Sequence, residues 1–226
     1  MASAPGYFSL RRGELDGDVV EPVAIVGFSL KFPQDATSPE AFWDMLAERR
    51  SAMTKVPEDR WSADGYYSAD PGKPGMNNVE GAHFVKEDVG LFDAPFFSIT
   101  PTEARSMDPQ QRWLLECSYR AFENAGMSLE QVAGSDTTVH MGCWSGEFNS
   151  LFHHDHELHT PYFLTGTGNA LIANRVSWFF DLRGSSATID TGCSSSMVAL
   201  HQACESLRSG QSTMVCLQTA RCSRTR

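Results

Sequence analysis

The stretch Ala187-Thr188-Ile189-Asp190-Thr191-Gly192-Cys193-Ser194-Ser195-Ser196 decides the fold of this chain. Its β-branched residues Thr188 and Ile189 predict a buried strand that ends at Asp190. The turn at Thr191-Gly192 follows, and Gly192 keeps side-chain bulk out of it. A helical pattern begins immediately afterwards. The stretch therefore predicts a strand–turn–helix unit with Cys193 between the strand and the helix.

The predicted helix after Cys193 carries one apolar stripe and ends at a glycine. Apolar side chains recur at i, i+3, i+7 and i+10, at Met197, Leu200, Cys204 and Leu207. That spacing places them on one helix face, which we expect to face the core. Gly210 lies where a helix-terminating glycine belongs.

Two interpretations of Cys193 follow from this placement. Unpaired N–H groups and the macrodipole at a helix N-terminus stabilise a thiolate, which is the nucleophilic form of cysteine. Alternatively, a single cysteine among small residues is a buried, inert hydrophobe. The spacing shows no partner base, so the residues alone leave both interpretations open.

Strand and helix patterns alternate along the rest of the chain. Strands are predicted at Val23–Val26 and from Thr137 to Cys143, and helices after the N-cap Ser38, from Pro109 to Ala125 and over Asn169–Phe179. In the first helix Phe42, Met45 and Leu46 are expected to face the core. Residues 51–81 are polar and rich in turns, which predicts a long functional or interface loop. The alternation indicates an α/β fold with a parallel or mixed sheet covered on both faces.

Composition excludes several classes of function. The formal net charge of −10 argues against nucleic-acid binding. No apolar run is long enough to span a membrane, and residues 1–20 lack the apolar segment of a secretory signal, so we expect a disordered leader. The six cysteines fall in helix and strand patterns without a C-x-x-C pair. This distribution favours reduced thiols in the cytoplasm over disulfides or structural zinc.

Other motifs carry weaker chemical signals. The histidines at 153, 154, 156 and 159 lie in a predicted loop that imposes no coordination geometry, so a functional metal site is not expected. Gly166 and Gly168 lack dinucleotide-binding spacing. Arg112, Glu116 and Arg120 have the i, i+4 spacing of a solvated salt-bridge face. Residues Ser194–Ser196 are expected to satisfy free N–H groups of the first helical turn.

Six segments in order resemble the β-ketoacyl synthases, the condensing enzymes of fatty-acid and polyketide synthesis. The resemblance covers residues 20–212 and is closest to multidomain polyketide synthases of the fungal reducing type. The chain departs from the family beside the nucleophile, where Gly192 replaces the usual alanine. The matching segments are Pro22–Phe28, Ser38–Trp43, Met107–Arg112, Thr165–Asn169, Asn174–Gly184 and Asp190–Ser196.

The resemblance implies a thiolase-like fold, of which this chain would be the first half only, with a mixed sheet and helices on both faces. It implies acyltransferase chemistry with Cys193 as the nucleophile and its backbone N–H as an oxyanion donor. Acyl and malonyl thioesters would arrive on the phosphopantetheine arm of an acyl carrier protein. No directly bound cofactor or metal is implied, and family members dimerise through this half.

The resemblance also predicts what the chain lacks. In the family two histidines, assisted by a lysine, promote decarboxylation from the second half of the fold, and this sequence ends before them. Neither His140 nor His201 is expected to replace them, since His201 lies about 12 Å along the helix from Cys193. We expect residues 21–212 to form an incomplete synthase domain and residues 213–226 a non-family tail. A non-catalytic dimerising module and a cysteine hydrolase remain alternatives.

Overall fold

A computed structural model describes residues 21–144, 146–155, 157 and 159–220. The predicted leader at residues 1–20 lies outside them, as do Cys222 and His156. None of the described helices is long and apolar enough to cross a membrane. The helices are α1 Pro39–Ala47, α2 Ala63–Tyr66, α3 Pro101–Ser106, α4 Pro109–Asn124, α5 Leu129–Val132, α6 Glu147–His154, α7 Phe163–Thr167, α8 Asn169–Phe179 and α9 Ser195–Arg208.

The described strands form two separate sheets. Strands β1 (Met53–Lys55) and β2 (Gly81–His83) pair antiparallel. Strand β3 (Thr138–Cys143) lies between β4 (Ser186–Ile189) and β5 (Val215–Ala220), and it is parallel to both. The larger sheet therefore has the order β4-β3-β5, with its three carboxyl ends along one edge. The alternation of strands and helices predicted this α/β arrangement, and the prediction is confirmed.

The central strand β3 is buried along its whole length because helices cover both faces of the sheet. Val139 and Met141 belong to the main hydrophobic cluster together with Leu115 of α4 and Val176 of α8. Side chains alternate across a strand, so Gly142 faces the other way, where α9 packs. Fully burying a Val- or Leu-sized side chain stabilises a fold by about 1.5–3 kcal/mol, so this cluster holds the sheet against α4 and α8.

Helix α4 has the two-sided burial that its wide apolar face predicts. Asp108 caps it by accepting a hydrogen bond from the Gln110 N–H (2.8 Å), and Pro109 occupies the first helical position. Leu114 and Phe122 are buried in the main cluster, while Ser118 is buried and donates to the Leu114 carbonyl. The predicted helix is confirmed.

The predicted solvated salt-bridge face on α4 is wrong. Arg112 is buried, and its guanidinium donates to the Gly90 carbonyl (3.4 Å) instead of pairing with Glu116. Glu116 accepts from the buried ammonium of Lys31 (3.4 Å), which also contacts Glu87 (2.6 Å) and lies 4.8 Å from the Trp113 ring centre. The preceding loop covers this face of α4, so residues whose spacing is typical of a solvent-exposed face are partly buried here.

The strand predicted at Val23–Val26 does not form. Ile25 is 83% exposed, and no described strand lies beside this segment to pair with its backbone. The chain is instead held on α4 just afterwards, where the Phe28 N–H donates to the Asn124 side chain (3.0 Å). A Cβ on Gly27 would lie 2.4 Å from the Ala121 carbonyl oxygen, so only glycine permits this close approach. A β-branched run forms a strand only when a neighbouring strand accepts its hydrogen bonds.

Helix α1 is confirmed, although one of its expected core residues is exposed. Ser38 accepts from the Ala41 N–H (3.2 Å), and Pro39 is the first helical residue. Met45 is buried and Phe42 is half-buried against the same small cluster, whereas Leu46 is 55% exposed. Only two of the three predicted core positions thus face the interior.

Residues 51–81 contain regular structure, so the prediction of one long loop is wrong. They include β1, α2 and the first residue of β2, and a further bridge joins Tyr67 to Asn77. Ser62 caps α2 by accepting from the Gly65 N–H. The turn-forming prolines and glycines separate these short elements and do not exclude them.

Candidate active site

Cys193 lies at the carboxyl edge of the parallel sheet. Strand β4 ends at Ile189, which pairs with Gly142 near the end of β3. A single 3₁₀ turn, Gly192–Ser194, then leads directly into α9. The Cys193 side chain is exposed at this N-terminal end of α9. The predicted strand–turn–helix unit is therefore confirmed, and the interpretation of Cys193 as a buried hydrophobe is wrong.

Gly192 takes a backbone conformation that favours glycine. Its φ is +65°, in the left-handed region, and an added Cβ would have no neighbour within 4 Å. Left-handed backbone costs an L-residue roughly 1–2 kcal/mol, so the constraint here is conformational and not steric crowding. The glycine at the position where the resemblance implied alanine thus matches the turn that this chain adopts.

Side chains on both sides of Cys193 bind the backbone of the turn. The Gly192 N–H donates to Asp190 Oδ1 (3.0 Å), and the Thr191 N–H donates to Ser195 Oγ (2.9 Å). The Ser195 hydroxyl in turn donates to the Gly192 carbonyl (2.7 Å), and the Ser194 hydroxyl donates to the Thr191 carbonyl (2.9 Å). These serines were expected to satisfy free N–H groups. Ser195 does so for the Thr191 N–H, just before the helix, whereas the Ser194 hydroxyl binds a carbonyl instead.

The Cys193 backbone N–H differs from the two N–H groups before it. It donates to no acceptor within the described part of the chain. An exposed thiol and an uncommitted N–H on the same residue are the two groups that acyl transfer requires, one to attack a carbonyl and one to bind the oxygen that becomes negative.

A buried polar group lies at the same edge of the sheet, where sequence reasoning did not anticipate it. Cys143 ends β3, and its thiol donates to the Gln110 side-chain oxygen (3.2 Å) at the start of α4. Burial, reinforced by the negative charges of Asp108 and Asp190, raises the pKa of the Cys143 thiol to about 12. Cys143 is therefore a hydrogen-bonded thiol and not a second nucleophile.

Asp108 is itself a perturbed acid in this group. Burial is the main cause that raises the pKa of its carboxyl, while the hydrogen bonds from Gln110 and the charge of Arg112 oppose the shift. The pair Asp108-Pro109 in the sequence indicates the start of α4. Only the packing of α4 against β3 brings that start to the edge of the sheet beside Cys143.

The face of α9 that packs on the sheet is not the predicted stripe. Its buried residues are all small: Ser195, Ala199, Ala203 and Ser206. A Cβ on Gly142 would lie 2.9 Å from the Ser195 carbonyl carbon, so α9 begins in direct backbone contact with β3. So close an approach leaves no room for large side chains. Met197 (64% exposed) and Leu200 (38% exposed) consequently lie on the outer surface.

Neither internal histidine is brought to Cys193. His140 pairs with Ala187 in mid-strand, two residues before Gly142 and so about 7 Å further from the carboxyl edge. Burial lowers the pKa of His140, and its Nδ1 has no partner among the described residues. His201 is exposed in the second turn of α9. Neither His140 nor His201 is therefore positioned as a base for the Cys193 thiol.

The histidine and glycine motifs singled out in the sequence take part in packing and hydrogen bonding. His159 Nε2 lies 2.9 Å from the Phe152 carbonyl oxygen, and its ring stacks on Phe163 with centroids 4.7 Å apart. Among the described residues no three His, Cys, Asp or Glu side chains form a group that could hold a metal ion. A Cβ on Gly166 would collide with the Ser106 carbonyl, so this glycine permits the packing of α7 on α3. The five described cysteines are free thiols, as predicted.

Comparison with known proteins identifies related sequences over nearly the whole described chain. Residues 20–220 match the family described as "Beta-ketoacyl synthase, N-terminal domain", a match that includes β5. A reducing polyketide synthase (pksF) of Alternaria solani is 50% identical over 196 residues, covering 86% of this chain and 9% of the relative. A reducing polyketide synthase (FUB1) of Gibberella fujikuroi is 48% identical over 201 residues, covering 89% of this chain and 8% of the relative.

Solved structures give the same result for the fold. The oxazolomycin ketosynthase domain of Streptomyces albus superposes with a TM-score of 0.81 at 34% identity, covering 88% of this chain and 34% of that one. A ketosynthase from module 6 of the bacillaene synthase of Bacillus subtilis gives a TM-score of 0.75 at 32% identity, covering 89% and 32%. The chain thus spans about a third of the ketosynthase structures and less than a tenth of the fungal relatives.

Proposed function

Because this chain belongs to the β-ketoacyl synthase family and has its thiolase-like fold, we propose that Cys193 accepts an acyl chain as a thioester. The observation that carries the proposal is the pairing, on one residue, of an exposed thiol with a backbone N–H that has no acceptor among the described residues. The thiolate would attack the thioester carbonyl while that N–H binds the developing oxyanion.

The proposed substrates follow from the relatives, which are reducing polyketide synthases. Acyl and malonyl thioesters on the phosphopantetheine arm of an acyl carrier protein would be the natural donors, and no metal or nicotinamide is required for the transfer. The proposed boundary of the synthase portion is residues 21–212, with residues 213–226 beyond it. Because β5 pairs with β3 and the family match extends to residue 220, loss of folding on removal of residues 213–226 would overturn that boundary, and unchanged folding would support it.

We propose that this polypeptide by itself loads an acyl group but forms no carbon–carbon bond. Decarboxylative attack needs groups that stabilise an enolate, and neither His140 in mid-strand nor His201 in the second turn of α9 is positioned beside Cys193. Loss of even one preorganised donor to the developing negative charge lowers a rate by about 10²–10³.

Intact-mass measurement with the hexanoyl thioester of N-acetylcysteamine tests the loading step. We expect one hexanoyl group per chain in the wild type and in Cys204→Ala, and none in Cys193→Ala. Absence of the adduct from the wild type would favour a non-catalytic dimerising module, and release of free hexanoic acid would favour a cysteine hydrolase. With malonyl-carrier protein added, release of labelled CO₂ together with a β-ketoacyl product would contradict the proposed lack of condensation.

Self-association is the proposed state of the isolated chain. Large apolar side chains are exposed at several places, including Ile25 (83%), Trp178 (70%) and Leu164 (75%). Exposed apolar surface promotes association, and a second copy of the chain would bury part of it. Light scattering should therefore show a dimer or larger species, whereas a monodisperse monomer with cooperative unfolding would contradict this proposal.

A further inference from the structure

The backbone N–H groups near Cys193 differ in whether they have an acceptor. Those of Thr191 and Gly192 are bound by the side chains of Ser195 and Asp190, at 2.9 and 3.0 Å. The N–H of Cys193, next in line, has no acceptor in the described residues. The direction of the Cys193 N–H depends on the rotation of the Gly192–Cys193 peptide, and glycine restrains that rotation least of all residues.

The Ser195 side chain binds the backbone of this turn at two points. Its hydroxyl accepts from the Thr191 N–H and donates to the Gly192 carbonyl (2.7 Å), so one side chain binds the backbone on both sides of the Thr191–Gly192 peptide bond. Ser195 is only 4% exposed, and its backbone contacts the strand at Gly142. By contrast, the Ser194 hydroxyl lies on the surface, and its bonds are to Thr191 alone. Ser195 therefore anchors the turn to the sheet.

We infer that Ser195 is a positioning residue, whose hydroxyl fixes the Gly192–Cys193 peptide so that the Cys193 N–H faces the carbonyl oxygen of a bound thioester. This inference rests on the proposed acyl transfer and adds a residue to it. Without the hydroxyl, the Thr191 N–H and the Gly192 carbonyl lose a common partner, and the glycine peptide gains rotational freedom. A misplacement of about 1 Å costs on the order of 10²-fold in rate when a reacting geometry must be held.

Acyl transfer and alkylation of Cys193 differ in whether an oxyanion forms, and this difference distinguishes an effect on the Cys193 N–H from an effect on thiol reactivity. In transfer from a thioester, the Cys193 sulfur bonds to the carbonyl carbon and the carbonyl oxygen becomes negative. The carbonyl then re-forms as the bond between its carbon and the donor sulfur breaks, and the departing thiolate takes up the proton that Cys193 released. In alkylation by iodoacetamide, sulfur displaces iodide at a saturated carbon, and no oxyanion forms. A residue that positions the N–H thus affects the first reaction and leaves the second unchanged.

The experiment compares Ser195→Ala with Ser196→Ala, a neighbour whose hydroxyl makes no hydrogen bond to the described residues. For each full-length variant, one assay measures Cys193 acylation by the hexanoyl thioester of N-acetylcysteamine, and a second measures Cys193 alkylation by iodoacetamide. We expect Ser195→Ala to acylate about 10- to 100-fold more slowly while its alkylation stays within twofold of the wild type. Ser196→Ala should match the wild type in both assays, and Ser195→Thr, which keeps the hydroxyl, should restore acylation.

The outcomes are distinguishable from failure of the proposed function. Equal acylation of Ser195→Ala and the wild type would overturn the inference alone. Parallel loss of acylation and alkylation in Ser195→Ala, or acylation of Ser195→Thr as slow as that of Ser195→Ala, would also overturn it, because the effect would then lie in folding or in the thiol. A wild-type chain that takes up no hexanoyl group would overturn the proposed function and the inference together.

Discussion

The described cysteines should differ widely in their rate of alkylation, because the fold exposes one thiol and buries others. Burial raises the pKa of Cys143 from 9.0 to about 12 and that of Cys216 from 9.0 to about 11. Each unit lowers the thiolate fraction near neutral pH tenfold. The thiolate fractions are therefore about 10³-fold and 10²-fold below those of a thiol at the reference value, before limited access slows the reaction further. Cys193, exposed at the start of α9, should be modified first.

The assay is a timed pulse of iodoacetamide at pH 7.5, followed by an acid quench and peptide mass spectrometry. Cys222→Ser serves as the background, since that residue lies outside the described range. Rates measured in guanidinium, where every thiol is exposed, normalise each site for local sequence. We expect the folded-to-unfolded ratio to be smallest for Cys143 and largest for Cys193, whose thiol is exposed.

Two results would refute this reasoning. Labelling of Cys143 in the folded chain at the rate of Cys193 would mean that the end of β3 is not packed against the start of α4. A folded-to-unfolded ratio for Cys193 no larger than that for half-buried Cys204 would mean that the Cys193 thiol is not the accessible one. Cys204, which is half-buried in α9, is the internal reference for exposure alone.

Three further predictions concern stability and are measured as melting temperatures against Gly146→Ala, a glycine with open space around it and an ordinary φ of −109°. Gly142→Ala should cost about 1–3 kcal/mol, because its Cβ would lie 2.9 Å from backbone atoms of Ser195; an unchanged melting temperature would show that α9 does not begin on β3. Gly192→Ala should cost about 1–2 kcal/mol through its φ of +65°, roughly 2–8 °C in melting temperature, and a stabilising effect would mean that the turn has another conformation. Asp108→Asn keeps the helix cap and removes the buried charge. Because the pKa of Asp108 in the folded chain lies above its ordinary value of 3.8, ionisation of this carboxyl opposes folding. The stability of the wild type therefore falls as the pH rises through the folded pKa. The melting temperature of Asp108→Asn relative to that of the wild type should therefore rise between pH 4 and pH 8. A difference that does not change with pH would contradict the raised pKa of Asp108.

Sequence alone determined the elements whose signals are local. Ser38-Pro39 and Asp108-Pro109 each combine a capping side chain with a proline at the first helical position, and both helices begin there. The position of Cys193 followed in the same way, since β-branched residues, a glycine turn and a helical pattern lie consecutively in the chain. Such signals depend on neighbours in sequence, so they persist whatever packs around them.

Tertiary structure alone decided which faces are buried and which groups surround the cysteine. Met197 and Leu200 have helical spacing but lie outside, because Gly142 brings α9 so close to β3 that only small side chains fit between them. The β-branched run at Val23–Val26 has no strand beside it among the described residues and forms no strand itself. The close approach of the Ser195 backbone to Gly142 likewise joins residues more than fifty positions apart, and no local pattern encodes such a contact.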